Sequence, residues 1–170
     1  MELIDDNGVV VSDAGPLIHL DELGCLDLLD DMSPVLVPEL VFQESRRHRP
    51  KLQLDCVPGL RIVPGSHTPS PRLSVLVKTL DLDSGEIAAL GLAEQHPLKI
   101  FLTDDSAARL AAESLGFRAH GTLGLLVRSI RCGLRTQLEV LDILRTMRER
   151  STLHIARNLL AEVITRVSAD

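Results

Sequence analysis

The stretch Val9-Val10-Val11-Ser12-Asp13-Ala14-Gly15-Pro16 constrains the fold of this chain more than any other. Three successive valines suit a strand covered on both faces, and an acid follows where such a strand ends. Gly15 gives the backbone freedom to turn there, and Pro16 is tolerated in the first turn of a helix that continues through Leu17, Ile18 and Leu20. Open parallel sheets bind ligands beyond the carboxyl ends of their strands, so strand, acidic turn and helix together form a site-building unit. Asp13 is the reference point for the other acids.

The same alternation runs through the next hundred residues. Gly24 separates a short helical stretch over 26–29, and Pro34 and Pro38 bracket Val35-Leu36-Val37, a short buried strand. The following helix carries Leu40, Val41 and Glu44 and ends in the basic cluster 46–51. Residues 60–63 read as a third strand. Residues 64–71 are too rich in proline, glycine and serine to be anything but loop, a candidate mobile flap. A helix is expected over 73–80, and Asp83-Ser84-Gly85-Glu86 opens another with Ile87, Leu90 and Ala93 on one face. The fourth strand, 99–103, runs into Asp104-Asp105 before an alanine-rich helix over 106–115, with Gly116 at its C-terminal cap and a fifth strand over 117–120. The remainder is helical: 123–131, a helix with Leu138, Leu141 and Leu144, and a third with Ile155, Leu159, Leu160, Val163, Ile164 and Val167. This order predicts a parallel sheet with helices on both faces and an all-helical tail.

At 170 residues and 45% apolar content the chain suits one well-buried domain. Its apolar runs, such as Leu125-Leu126-Val127, fall far below the ~20 residues that span a bilayer. The acidic start, Met1 to Asp6, lacks the order of a secretory signal, so a soluble cytoplasmic protein without a membrane partner is expected. Cys25, Cys56 and Cys132 contain no C-x-x-C pair and argue against a disulfide framework or a thiolate zinc site.

The net charge of −6 is unevenly placed: residues 1–105 hold 8 basic and 18 acidic side chains, whereas residues 106–170 hold 10 arginines and 6 acids. Arginine makes forked contacts with phosphate or carboxylate, so the tail suits an RNA backbone or an acidic protein, unless its cations merely solvate helix faces. With no Trp or Tyr and three Phe, base stacking is not an expected mode of binding.

Asp13, Glu44, Glu86, Asp104 and Asp105 all stand at or near element ends on this map. Gathered together, such oxygen donors would bind Mg²⁺ or Mn²⁺ rather than zinc, and ions held there activate water for in-line attack on a phosphodiester. Each acid also has a plainer reading. Asp13 and Asp105 suit helix N-caps, Glu86 completes a capping box with Asp83, and Glu44 beside Arg46 and Arg47 suits a solvated charge. Cap acids, however, need not converge at one end of one sheet.

Ser12-Asp13-Ala14-Gly15-Pro16-Leu17-Ile18, Val37-Pro38-Glu39-Leu40-Val41-Phe42-Gln43-Glu44, Leu82-Asp83-Ser84-Gly85-Glu86-Ile87-Ala88-Ala89-Leu90 and Leu102-Thr103-Asp104-Asp105, with Gly121-Thr122-Leu123-Gly124 behind, resemble the ordered acidic motifs of PIN domains. These are metal-dependent ribonucleases that include the VapC-type toxins of toxin–antitoxin pairs. The resemblance implies a three-layer α/β/α sandwich with a five-stranded parallel sheet over residues 9–133, followed by a helical extension over 134–170 packed on the same domain. It implies that Asp13, Glu44, Glu86 and one or both of Asp104 and Asp105 hold Mg²⁺ or Mn²⁺, with Thr103 positioning the last ligand. Asp13, Glu44, Glu86 and Asp105 are the catalytic set under this reading. The family pattern has one indispensable acid after the threonine; both positions here are Asp, so the choice between Asp104 and Asp105 stays open. RNA is the expected partner, with a small antitoxin protein and a homodimeric second copy as further ones.

Phosphate-cradling glycine loops, H-x-x-x-H spacing and a G-x-S-x-G serine are all absent from the sequence. The histidines read mostly as surface or cap residues. An aspartyl phosphatase would carry a second Asp where Gly15 stands, and a signalling receiver would have the acidic pair after the first strand. The competing reading is a non-catalytic binding module whose tail helices dock a partner through the apolar stripe Ile155, Leu159, Val163 and Leu160, Ile164, Val167.

Overall fold

A computed structural model describes residues 8–32, 34–65, 68–97 and 100–169. Five strands, β1 (Val10–Ser12), β2 (Val35–Pro38), β3 (Leu60–Val63), β4 (Ile100–Leu102) and β5 (Arg118–His120), form one all-parallel sheet in the order β3-β2-β1-β4-β5. Every residue of β1, β2 and β4 is buried, which is why these strands read as unbroken apolar runs rather than alternating ones. The edge strands differ. Arg61 and Ile62 of β3 and Arg118 of β5 are exposed, and charge on an edge discourages pairing with a further strand.

The flanking helices are α1 (Ala14–Leu23), α2 (Glu39–His48), α3 (Pro71–Leu80), α4 (Ser84–Ala93), α5 (Ser106–Ser114), α6 (Thr122–Arg131), α7 (Gln137–Arg150) and α8 (Arg157–Ala169), with 3-10 turns at Leu26–Met32 and Leu54–Cys56. The result is an α/β/α sandwich. Helix α4 lies on β1 and β2 and α5 on β5, while α1 touches α2, α6 and α7. With neighbours on several sides, α1 has little polar face, and Leu17 and Leu20 are fully enclosed. Phe101, the middle residue of β4, has no exposure; its truncation to alanine is of the kind that destabilises by about 3–5 kcal/mol.

The tail packs onto this frame through α7, whose Leu144 and Met147 are fully buried and which contacts α1, α6 and α8. Helix α8 begins at Arg157, so Ile155, expected on it, lies instead in the non-helical segment between α7 and α8 and is buried there. The reason lies in Glu22 of α1. Its carboxylate accepts from Ser151 Oγ (2.8 Å), Thr152 N (2.7 Å) and Thr152 Oγ1 (2.9 Å), drawing the chain off the helical path. Of the expected stripe, Leu160 and Val167 are buried but Leu159 remains 47% exposed.

Other differences are local. Gly15 is helical rather than left-handed, so its freedom to turn is not what the position requires; a Cβ there would come within 3.2 Å of Asp104 Cβ, and its bareness allows that approach. Gly116 does adopt the left-handed conformation, φ 91°, that ends α5. The expected flap ends firmly: Ser70 Oγ accepts from Leu73 N as the cap of α3 and donates to Glu94 (2.6 Å). Ser66 and His67 of that loop, Lys99 before β4, and the acidic start lie outside the described residues. The three cysteines are free, and among the described residues no helix is long and apolar enough to cross a membrane.

Candidate active site

The sheet order reverses at β1, which has β2 on one side and β4 on the other. Ser12 pairs with Leu102, so the next residue on each strand, Asp13 and Thr103, emerges side by side at the carboxyl edge. Asp13 N donates to Leu102 O at 2.8 Å and Thr103 N to His120 O at 2.9 Å, which fixes both backbones. A cleft of about 350 Å³ opens at this point. Asp13, Glu44, Asp83, Glu86, Asp104 and Asp105 all line it.

Asp13 occupies the N-cap position of α1, yet its carboxylate makes no cap bond to the helix. It is 6% exposed and accepts instead from the Thr103 hydroxyl at 3.2 Å. Burial, with the negative fields of Glu44 and Asp83 added, pushes its pKa up to about 7 against the partial relief from Ala14 N and Thr103. The plain cap reading therefore fails for Asp13. It holds for Asp105, whose Oδ1 accepts from Ala107 N (2.7 Å) and Ala108 N (2.9 Å), and for Glu86, which forms a reciprocal capping box with Asp83. Both capping acids nevertheless face the same cleft as Asp13. Burial first, then Asp83, Asp105 and Asp13, pushes Glu86 up to about 7.

Glu44 reaches the cleft from α2, and burial and Asp83 raise its pKa. Its approach depends on Gly85, because a Cβ at that position would strike Glu44 Oε2. Asp104 has a different environment from its neighbour. Its Oδ1 accepts from Thr122 N (2.7 Å), and its Oδ2 accepts from Thr122 Oγ1 (2.6 Å) and stands 2.7 Å from His19 Nδ1. Thus Asp104 ties β4 to the start of α6 and to α1, while Asp105 keeps Oδ2 without a partner among the described residues. Gly121 is small for the same reason, since a Cβ would come 2.6 Å from Asp104 Oδ1.

Three parts of the cleft were not anticipated as such from sequence. From sequence Asp83 has the place of a cap, His19 that of a surface histidine, and Thr152, Leu153 and His154 fall in the tail, yet all five line the cleft. The i to i+3 spacing of Asp83 and Glu86 could have marked both as cleft acids, because a capping box sets two carboxylates at one helix end. Nothing local marks the pairing of His19 with Asp104, 85 positions apart. The cations of the 46–51 cluster do not line the cleft; Arg46 lies over the Phe42 ring, 5.8 Å from its centroid.

The donor set consists almost wholly of carboxylate and hydroxyl oxygens, and two of the acids are poorly ionised because they are buried beside other carboxylates. That chemistry fits a hard divalent cation, which would restore their charge. Among the described residues, no three His, Cys, Asp or Glu side chains stand close enough to hold an ion as they are.

An open α/β/α sheet with acids gathered beyond β1 and β4 belongs to the class of parallel α/β domains that bind ligands where the strand order reverses. The chain belongs to the PIN-domain family: the family model DUF3368, described as a PIN domain, matches residues 9–169, a span that includes α7 and α8. PIN domains are generally nucleases and typically use divalent metal ions. No curated protein matches the chain.

Proposed function

We propose that this PIN domain is an Mg²⁺- or Mn²⁺-dependent endoribonuclease that hydrolyses RNA phosphodiesters. The observation that carries the reading is the convergence of Asp13, Glu44, Glu86 and Asp105 from four separate elements on one cleft at the carboxyl edge of the sheet. A divalent cation bound there would neutralise charge building on the phosphodiester oxygens. The chain's own residues position. Thr103 holds the Asp13 carboxylate while accepting from Asp105 N (3.1 Å), so one hydroxyl sets the two acids proposed as core ligands. Glu44 and Glu86 complete the donor set, and Asp104 acts as a positioning residue through Thr122 and His19.

Cleavage of a labelled single-stranded RNA in Mg²⁺ or Mn²⁺, abolished by chelator and by Asp13→Asn, is the expected result. Undiminished cleavage in both would overturn the mechanism. Within the same reading the protein is the cytoplasmic toxin of a toxin–antitoxin pair, supported by the motif resemblance. Growth arrest on expression, relieved by the product of an adjacent gene, tests that role.

A second reading, a non-catalytic binding module, draws on the commitment of Asp104, Asp105 and Glu86 to protein hydrogen bonds. Under it, RNA or protein binding persists with no cleavage under any metal.

A further inference from the structure

A cleft walled by acids repels a polyanion, so a chain that cuts RNA needs cations beside it. Several tail arginines are already engaged: Arg128 with Asp31 (2.5 Å), Arg135 with Asp27 (2.7 Å) and Arg166 with Glu162 (2.7 Å). Arg109 and Arg150 donate to main-chain carbonyls. Arg148 and Arg157, like Arg131 and Arg145, are less committed, and they are set apart by lining a pocket at the strap. Both are exposed; Arg148 donates only to Ile155 O (3.3 Å), and Arg157 has no hydrogen-bond or ion-pair partner among the described residues.

These two arginines, with His154 and Ser151, line a second cavity of about 350 Å³. It shares Thr152, Leu153 and His154 with the acidic cleft, so the strap between α7 and α8 is a single wall with carboxylates on one side and guanidinium groups on the other. Arg157 is also the first residue of the 13-residue α8, at the end of the helix that favours anions. Apolar anchoring is scant, because Ile155 is buried.

We propose that this pocket is a phosphate-binding subsite for single-stranded RNA, gripping the backbone next to the phosphodiester presented to the acids. The inference rests on the ribonuclease reading, but it is tested without catalysis. Polar walls and two guanidinium groups with donors to spare favour a sugar-phosphate chain over an acidic peptide, which would need apolar anchors.

The test is equilibrium binding of a fluorescein-labelled single-stranded oligoribonucleotide to the full chain in chelator, across a salt series. Arg148→Ala/Arg157→Ala should weaken binding about tenfold and lower the slope of log affinity against log salt by about 1.4, two single-strand phosphates' worth. Arg61→Ala, on the exposed β3 edge, should leave both unchanged. Arg157→Glu disturbs no hydrogen bond and should weaken binding as well, which keeps the test valid if loss of the Arg148 bond loosens the strap. Wild-type affinity and slope in both Arg157 variants would overturn the subsite, as would equal competition by a glutamate peptide of matched charge. Arginine-dependent binding without metal-dependent cleavage would support the subsite while removing the nuclease reading; cleavage with binding indifferent to these arginines would do the reverse.

Discussion

The Thr103 hydroxyl joins two acids at once, donating to Asp13 Oδ2 at 3.2 Å and accepting from Asp105 N at 3.1 Å. Thr103→Val keeps the shape of the buried side chain and removes both bonds. Loss of a buried hydrogen-bond partner leaves the other group unsatisfied, so urea unfolding at pH 7 should show a destabilisation of about 1–3 kcal/mol. A variant as stable as the parent would show that neither bond matters to the fold.

Asp13 ionises at about 7 in the folded chain against 3.8 in a free one. The folded state therefore holds a proton that the unfolded state has released, and stability falls as pH rises from about 4 to 7. Glu86, also raised to about 7, acts in the same direction. Asp13→Asn should thus be more stable than the parent at pH 8, by at most roughly 4 kcal/mol, with the gain disappearing toward pH 4. Melting curves at the two pH values check the sign.

At pH 8, millimolar Mg²⁺ or Mn²⁺ should raise the melting temperature, because a cation relieves repulsion among the cleft acids and binds the folded state preferentially. The rise should shrink at pH 6, where protons occupy Asp13 and Glu86, and should be much reduced in Asp13→Asn. An unchanged curve would remove the metal site.

Gly85→Ala places a methyl group against Glu44 Oε2. Glu44 sits on a helix surface and can swing away, so the fold should survive with a loss of about 1–3 kcal/mol. The response to metal should fall more sharply than stability does. Gly24→Ala, strained at φ 70° but distant from the acids, separates loss of stability from loss of the site.

Glu22→Ala should release the strap, which it holds through Ser151 and Thr152. The Thr152 amide should exchange hydrogen faster, while amides of β1 and β4 stay protected. Equal protection in the variant would show that packing of Leu153 and Ile155 alone keeps the strap in place.

The strands were legible in the sequence because a parallel sheet covered on both faces leaves continuous apolar runs, and Val10-Val11, Val35-Leu36-Val37 and Phe101 carry that mark. Asp13 and the Asp104-Asp105 pair stand out in the sequence because each comes within a few residues of the end of such a run. The tether between His19 and Asp104 was not, since it depends on how α1 packs beside β4 and leaves no local pattern. The strap was misread for a related reason: residues 151–156 continue the apolar spacing of α8, and only the acceptor on Glu22 shows that the backbone there is extended around a carboxylate instead.

The wall formed by Thr152, Leu153 and His154 comes from a part of the chain well downstream of Asp13 and Thr103. A nascent chain can assemble its sheet and bring its acids together while one flank of the hollow is still missing. One flank of the pocket therefore comes from outside the sheet that gathers the acids, and the Glu22 carboxylate is what moors it there.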